Sequence, residues 1–247
     1  MRTFSILCSI VLAIYIALET ARSPGKYREL KAAVDSGDQG ARRSFYVEIL
    51  WFEWISAALA FAAAGFSRTA FWPDGLGLAE SSFGQAFAGL WTHIDRGFAY
   101  GMGIGAVIML ALMPFLLRIL RNRSDKTVAV PTSRFLPDFS YLLPVTPRER
   151  WLFAFVAISA GICEELVFRG WLLNALHSLH AENWTLVALA AAIFGAAHFY
   201  QGVAGVIVTL VLGLIFCGLY VASGSLLVPI ALHAILDLRW AIAPAAK

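Results

Sequence analysis

Long apolar runs separated by short polar and charged segments make up most of this chain. They fall at about residues 4–18, 46–66, 98–120, 147–178, 184–200, 203–222 and 226–243. A membrane core about 30 Å thick needs roughly 20 apolar residues in a helix, and most of these runs are near that length. The pattern predicts an all-α, polytopic membrane bundle of about seven, or eight, helices. No internal repeat, low-complexity tract or soluble domain interrupts it.

The first run is short for a span and could pass for the core of a signal peptide. Glu19 and Arg22 interrupt any cleavage site behind it, so an uncleaved first helix is expected. Residues 21–46 and 118–150 are polar and net basic, which assigns both connecting segments to the cytoplasm and the N-terminus to the outside. The segment 67–97 reads as an external loop, with Trp72 and Trp91 at the interface. Gly101, Gly103 and Gly105 would let another helix approach the third span closely. Thr146-Pro147-Arg148-Glu149 carries the residues of a capping box, so a helix is expected to start at Pro147. Its pattern continues to about Ser178, roughly 48 Å at 1.5 Å per residue, too long for one straight crossing. The helix should either bend near Gly161 or project well past one side.

Composition agrees with the pattern: 60% of residues are apolar and 14% charged. The net charge of +3 resides mainly in the connecting segments, which suits topology and lipid headgroups and not nucleic acid. Cys8, Cys163 and Cys217 are far apart and suggest no disulfide or cysteine metal site. The chain divides at about residue 143. Residues 1–143 hold the N-terminal helices and loops, and residues 144–247 hold the candidate chemistry.

That chemistry is a set of ionisable residues inside apolar runs, each costing about 2.5–3.5 kcal/mol at a bilayer centre. Glu164 and Glu165 are followed by Arg169, with Glu165 and Arg169 four apart on one face and the acid first. Glu164 is rotated away from this pair, which makes Glu165 structural and leaves Glu164 available as a base. Phe194 and His198 share a face of a later helix. His233 and Asp237 share one on the last, where Asp237 could fix the His233 tautomer. Taken singly, each has a commonplace explanation, since a lone membrane histidine is usually a packing residue. Three helices that each carry such residues are best served by converging, because only then do the residues satisfy one another. Glu53, deep in the second run, is a weaker candidate for a second carboxylate, and Glu48 should reach the interface. His177, His180 and Glu182 read as solvated helix-end residues, and His93 gets no role.

The ordered set Glu164-Glu165-x-x-x-Arg169, Phe194-x-x-x-His198 and His233-x-x-x-Asp237 resembles the CPBP family of intramembrane proteases, which includes the CAAX-processing endopeptidases and bacteriocin-processing or immunity proteins. The resemblance covers about residues 144–238. It implies peptide-bond hydrolysis in or beside the membrane, with Glu164 activating water, His198 assisting, and His233 with Asp237 stabilising the oxyanion. Glu165, Arg169 and Phe194 would support the site. Many members carry Asn at the last position. An ionised Asp cannot donate to an oxyanion, so Asp237 would act in protonated form or by orienting His233.

No cofactor is expected on this scheme. The alternative is zinc held by Glu164, His198 and His233, although the HExxH spacing of common zinc peptidases is absent. Expected partners are a membrane-associated or tail-anchored peptide substrate and the lipid bilayer, in a bacterial plasma membrane. Other classes remain open: a non-catalytic immunity or scaffold protein that binds peptide without cutting it, and a proton-relaying transporter. The latter lacks paired repeat halves.

Overall fold

A computed structural model describes residues 2–64, 140–177, 183–223 and 225–242, and all its regular elements are helical. The expected third span at 98–120, the loop at 67–97, the basic run at 118–139, His93, His180 and Glu182 lie outside the described residues. Among the described residues, four helical stretches are long and apolar enough to cross a membrane: Thr3–Asp35, Ala41–Ala63, Pro147–His177 and Phe199–Ser223. The protein is an integral membrane helical bundle.

Helix α1 (Arg2–Asp35) runs well beyond the apolar stretch that announces it. The first half of the expected polar connection is therefore helix, and only a short turn at 36–40 joins it to α2 (Ala41–Ala63). Pro24 lies inside α1, where it removes one N–H and orphans the carbonyl of Thr20. The Ser23 hydroxyl donates to that carbonyl at 2.9 Å, which lets the helix continue. Helices α1 and α2 pack antiparallel. Ser5 bonds the Ala63 carbonyl at one end, Tyr15 meets Phe52 midway, and Lys26 bridges Glu19 and Glu48 towards the other.

Helix α3 (Pro147–Glu165) begins with the expected capping box. The Thr146 hydroxyl accepts from Glu149 N at 3.2 Å, while the Glu149 carboxylate accepts from the Thr146 and Val145 amides at 3.0 and 2.9 Å. This start lies at the same end of the bundle as the α1–α2 turn, because Arg42 donates to the Tyr141 carbonyl and Tyr46 to that of Leu142. The described end of the second basic connection, residues 140–150, thus lies at the same end as the first, as the charge rule requires of segments sharing a side. Helices α2 and α3 then run side by side in the same direction, with Tyr46 against Phe153 and Glu53 facing Ser159.

The long helix does not change character at Gly161. It does so at Leu166–Leu172, a π-helical segment that leads into the short α4 (Leu173–His177). Gly161 has another task. A Cβ there would stand 2.9 Å from Ala234 N and 3.0 Å from the Ile230 carbonyl oxygen, so glycine lets the last helix lie directly on α3.

Helix α5 (Asn183–Ala197) and helix α6 (Gly202–Ser223) form an antiparallel pair joined by a tight turn at Phe199–Gln201. Gly202 closes that turn at φ 77°, a conformation that side chains disfavour. Helix α7 (Leu227–Ile242) returns antiparallel to α3, and Arg150 bonds the Ala241 carbonyl at 2.9 Å. One buried cluster unites Leu12, Ala60, Phe168, Trp171, Leu186, Phe194, Cys217 and Tyr220, so α1 and α2 share a core with the C-terminal helices. Large apolar side chains such as Trp51, Trp151, Phe155, Val203 and Ile207 remain exposed, as lipid-facing residues should.

Candidate active site

The two adjacent glutamates have opposite surroundings. Glu165 is fully buried, and its Oε1 accepts from Arg169 Nη1 and from His233 Nδ1, each at 2.9 Å. Arg169, 1% exposed, also donates from Nη2 to the Gly213 carbonyl at 3.2 Å. Its guanidinium lies over the rings of Phe194 and Phe216, at 4.5 and 5.3 Å from their centroids. A buried cation is tolerable only with such partners, and this one is enclosed by a carboxylate, a carbonyl and two aromatic faces.

Glu164 points elsewhere. Its side chain is 23% exposed, and its Oε2 lies 3.8 Å from His198 Nε2 and 3.9 Å from His233 Nε2. Helices α3 and α7 and the residue just beyond α5 thus bring one carboxylate oxygen and two imidazole nitrogens together. These separations exceed a hydrogen bond but suit a water lying off the lines between them.

The hydrogen bonds on the far side of each ring fix its tautomer. His198 Nδ1 lies 2.9 Å from the Phe194 carbonyl oxygen, which can only accept, so Nδ1 carries the proton. His233 Nδ1 likewise donates to the Glu165 carboxylate. Both Nε2 atoms therefore face Glu164 with a lone pair when the rings are neutral. To donate to an oxyanion, either ring must hold a second proton.

Three placements differ from the sequence reading. His198 is not within a helix but just beyond the end of α5, at φ −97° and ψ 19°, where its own ring closes off the Phe194 carbonyl. Asp237 lies beside the His233 ring as expected, but at Nε2, while the shorter bond, at Nδ1, goes to Glu165. Asp237 is 40% exposed, with Oδ2 3.5 Å from His233 Nε2, and Glu165 makes the orienting bond. Glu165 therefore joins the ion pair to the histidine in addition to pairing with Arg169. Phe194 supports the site through three contacts, to Arg169, to His198 at 4.8 Å and to His233 at 6.2 Å between ring centroids.

Phe216 was not legible as a site residue, since it sits in an unbroken apolar run. It stacks on His233 at 5.0 Å and 22°. The carbonyl of Gly213 was equally hidden, because backbone acceptors leave no mark in a sequence. As for zinc, no group of three His, Cys, Asp or Glu side chains among the described residues is arranged to hold an ion. No step below is routed through a metal.

Residues 146–239 match the family described as Rce1-like, type II CAAX prenyl endopeptidase Rce1-like. This chain carries a CAAX-protease domain. The match spans the helices that hold Glu164, His198, His233 and Asp237 and leaves α1 and α2 outside it. No curated protein and no solved structure matches the chain. The CAAX-type protease is thus a peptide hydrolase built within an apolar helical bundle, as the ordered motifs led us to expect.

Proposed function

We propose that this CAAX-type protease cuts membrane-associated or tail-anchored peptides with a water activated by Glu164. The observation that carries the reading is the position of Glu164 Oε2, under 4 Å from both His198 Nε2 and His233 Nε2. A carboxylate so placed can take a proton from a water held between it and the imidazoles, leaving hydroxide to attack the scissile carbonyl. His198, with its lone pair inward, accepts a second hydrogen bond from that water and helps to aim it. His233, doubly protonated beside Glu165 and Asp237, would donate from Nε2 to the oxyanion of the tetrahedral intermediate. Collapse of the intermediate returns a proton from Glu164 to the leaving amine, and one water is consumed per bond cut.

No metal enters this scheme. Asp237, the most exposed of the four, serves His233 by its charge. A prenylated CAAX tail is one substrate of the chemistry that the family's description names. Other membrane-held tails present the same extended peptide to the site, and the bacterial plasma membrane is the setting we favour.

The test compares membrane peptides from cells carrying wild type or Glu164→Ala, followed by cleavage of the enriched tails by purified protein in liposomes. Tails that persist only in the mutant, and are cut only by wild type, are the expected result. Equal cutting by Glu164→Gln and wild type would remove the base. Activity abolished by a chelator and restored by zinc would replace the metal-free mechanism.

A further inference from the structure

The α2–α3 interface holds a second polar group that the mechanism above does not use. Glu53, Ser56 and Ser159 are 4%, 3% and 2% exposed; Glu53 and Ser56 lie about one turn apart on α2, and Glu53 faces Ser159 of α3. Glu53 Oε2, Ser56 Oγ and Ser159 Oγ each lack a hydrogen-bond partner among the described residues. Glu53 faces Ser159 and Cys163 and lies within electrostatic reach of Glu164, whose own Oε2 is also without a hydrogen bond among these residues.

Buried polar atoms are normally paired, and in a membrane bundle the solvent offers them nothing. Orphans facing each other at Glu53 and Ser159, with Ser56 about one turn along α2, call for a ligand small enough to lie between packed helices and able both to donate and to accept. Water meets that description, since buried waters typically make about two to four bonds to such groups. The Glu53 carboxyl group can bond it, and the two hydroxyls rotate to donate or accept as needed.

We infer that Glu53, Ser56 and Ser159 form an internal hydration site that stores the water used at Glu164. The inference rests on the proteolytic reading, because hydrolysis consumes water at a centre surrounded by lipid-facing helices. Glu53 is then a positioning residue. It holds the supply and does not touch the substrate.

Millisecond X-ray hydroxyl-radical footprinting of the whole protein in lipid nanodiscs reads such water directly, because radicals form from bound waters and oxidise adjacent side chains. Cys163, 1% exposed and beside Ser159, is the reporter. Tyr46, fully buried with its hydroxyl satisfied by the Leu142 carbonyl, is the control. After correction for intrinsic reactivity, Cys163 should be oxidised well above Tyr46. Glu53→Leu should abolish that excess and lower kcat roughly tenfold with KM unchanged, a split that loss of folding does not produce. Ser159→Ala should reduce labelling in part, and Glu53→Gln, which keeps polar contacts for water, should preserve both labelling and kcat.

Cys163 as protected as Tyr46 in wild type would overturn the hydration site. So would Glu53→Gln losing activity with labelling intact, since Glu53 would then act by its charge. Labelling lost in Glu53→Leu with kcat unchanged would sever the site from catalysis. The footprint needs no substrate, so a wild type that is labelled but cuts nothing counts against proteolysis, whereas an unlabelled one counts against the stored water.

Discussion

Glu164 and Glu165 are neighbours in the chain, yet they belong to two differently built regions. Around Glu165 the bundle is closed: a guanidinium, an imidazole, a backbone carbonyl and two phenyl rings leave no room for a substrate. Around Glu164 it is partly open, with two imidazole nitrogens turned inward at distances that suit a bridging water. The closed region sets where the histidine stands, and the open region leaves Glu164 Oε2 and the two Nε2 atoms without direct hydrogen bonds to one another. A carboxylate that accepts two strong hydrogen bonds is a poor base but a good clamp. One turned 100° away can be the reverse.

The comparison breaks most sharply at the open side. Glu164→Ala or His198→Ala should lower kcat by about 10²–10⁴-fold, the range for loss of general base assistance. The melting temperature of Glu164→Ala in detergent should stay close to wild type, because the side chain is partly exposed and its Oε2 has no hydrogen bond among the described residues, whereas His198→Ala should lower it modestly by freeing the Phe194 carbonyl.

The closed side should respond in the opposite way. Arg169→Ala strands the buried Glu165 charge and should destabilise the protein by about 3–5 kcal/mol, seen as low membrane abundance and a lowered melting temperature. Replacing the pair together, Glu165→Leu with Arg169→Leu, should recover much of that stability. Activity should not return with it, because His233 loses the acceptor that orients it. A double variant as active as wild type would show that the clamp has no part in catalysis.

Gly161→Ala tests the joint between the regions. The added methyl meets the backbone of Ala234 and Ile230, and pushing α7 away should cost about 1–3 kcal/mol of stability. It should also lower kcat at permissive temperature by moving His233 from both glutamates.

The smallest effect is expected at Asp237. Exposed ion pairs contribute about 0.2–1 kcal/mol, so Asp237→Asn should change kcat only severalfold. A loss as deep as that of Glu164→Ala would make Asp237 a direct participant.

Much of this arrangement was legible beforehand, and the exceptions share a cause. The capping box at Thr146 was readable because its partners lie within four residues. The same holds for the Glu165–Arg169 pair, one turn apart. The extent of α1 was not, because polar residues at 21–35 look like a connection until Ser23 is seen to repair the break at Pro24. The π segment at Leu166–Leu172 was not legible either, and Gly161, where a bend was one expectation, makes a close helix contact, since glycine marks both and the sequence does not say which.

Composition and periodicity by themselves determined that the chain is a membrane bundle, which helices carry ionisable residues, and that Glu164 and Glu165 point to different sides of one helix. Only the packed structure decided that Glu165 and not Asp237 orients His233, that Phe216 stacks beneath that ring, and that Glu53 looks across at Ser159. The reason is physical. Within one helix the 3.6-residue turn fixes neighbours, but partners on different helices depend on how far each is rotated and shifted. In lipid, the outward face is as apolar as the inward one, so hydrophobicity does not reveal which way a helix turns.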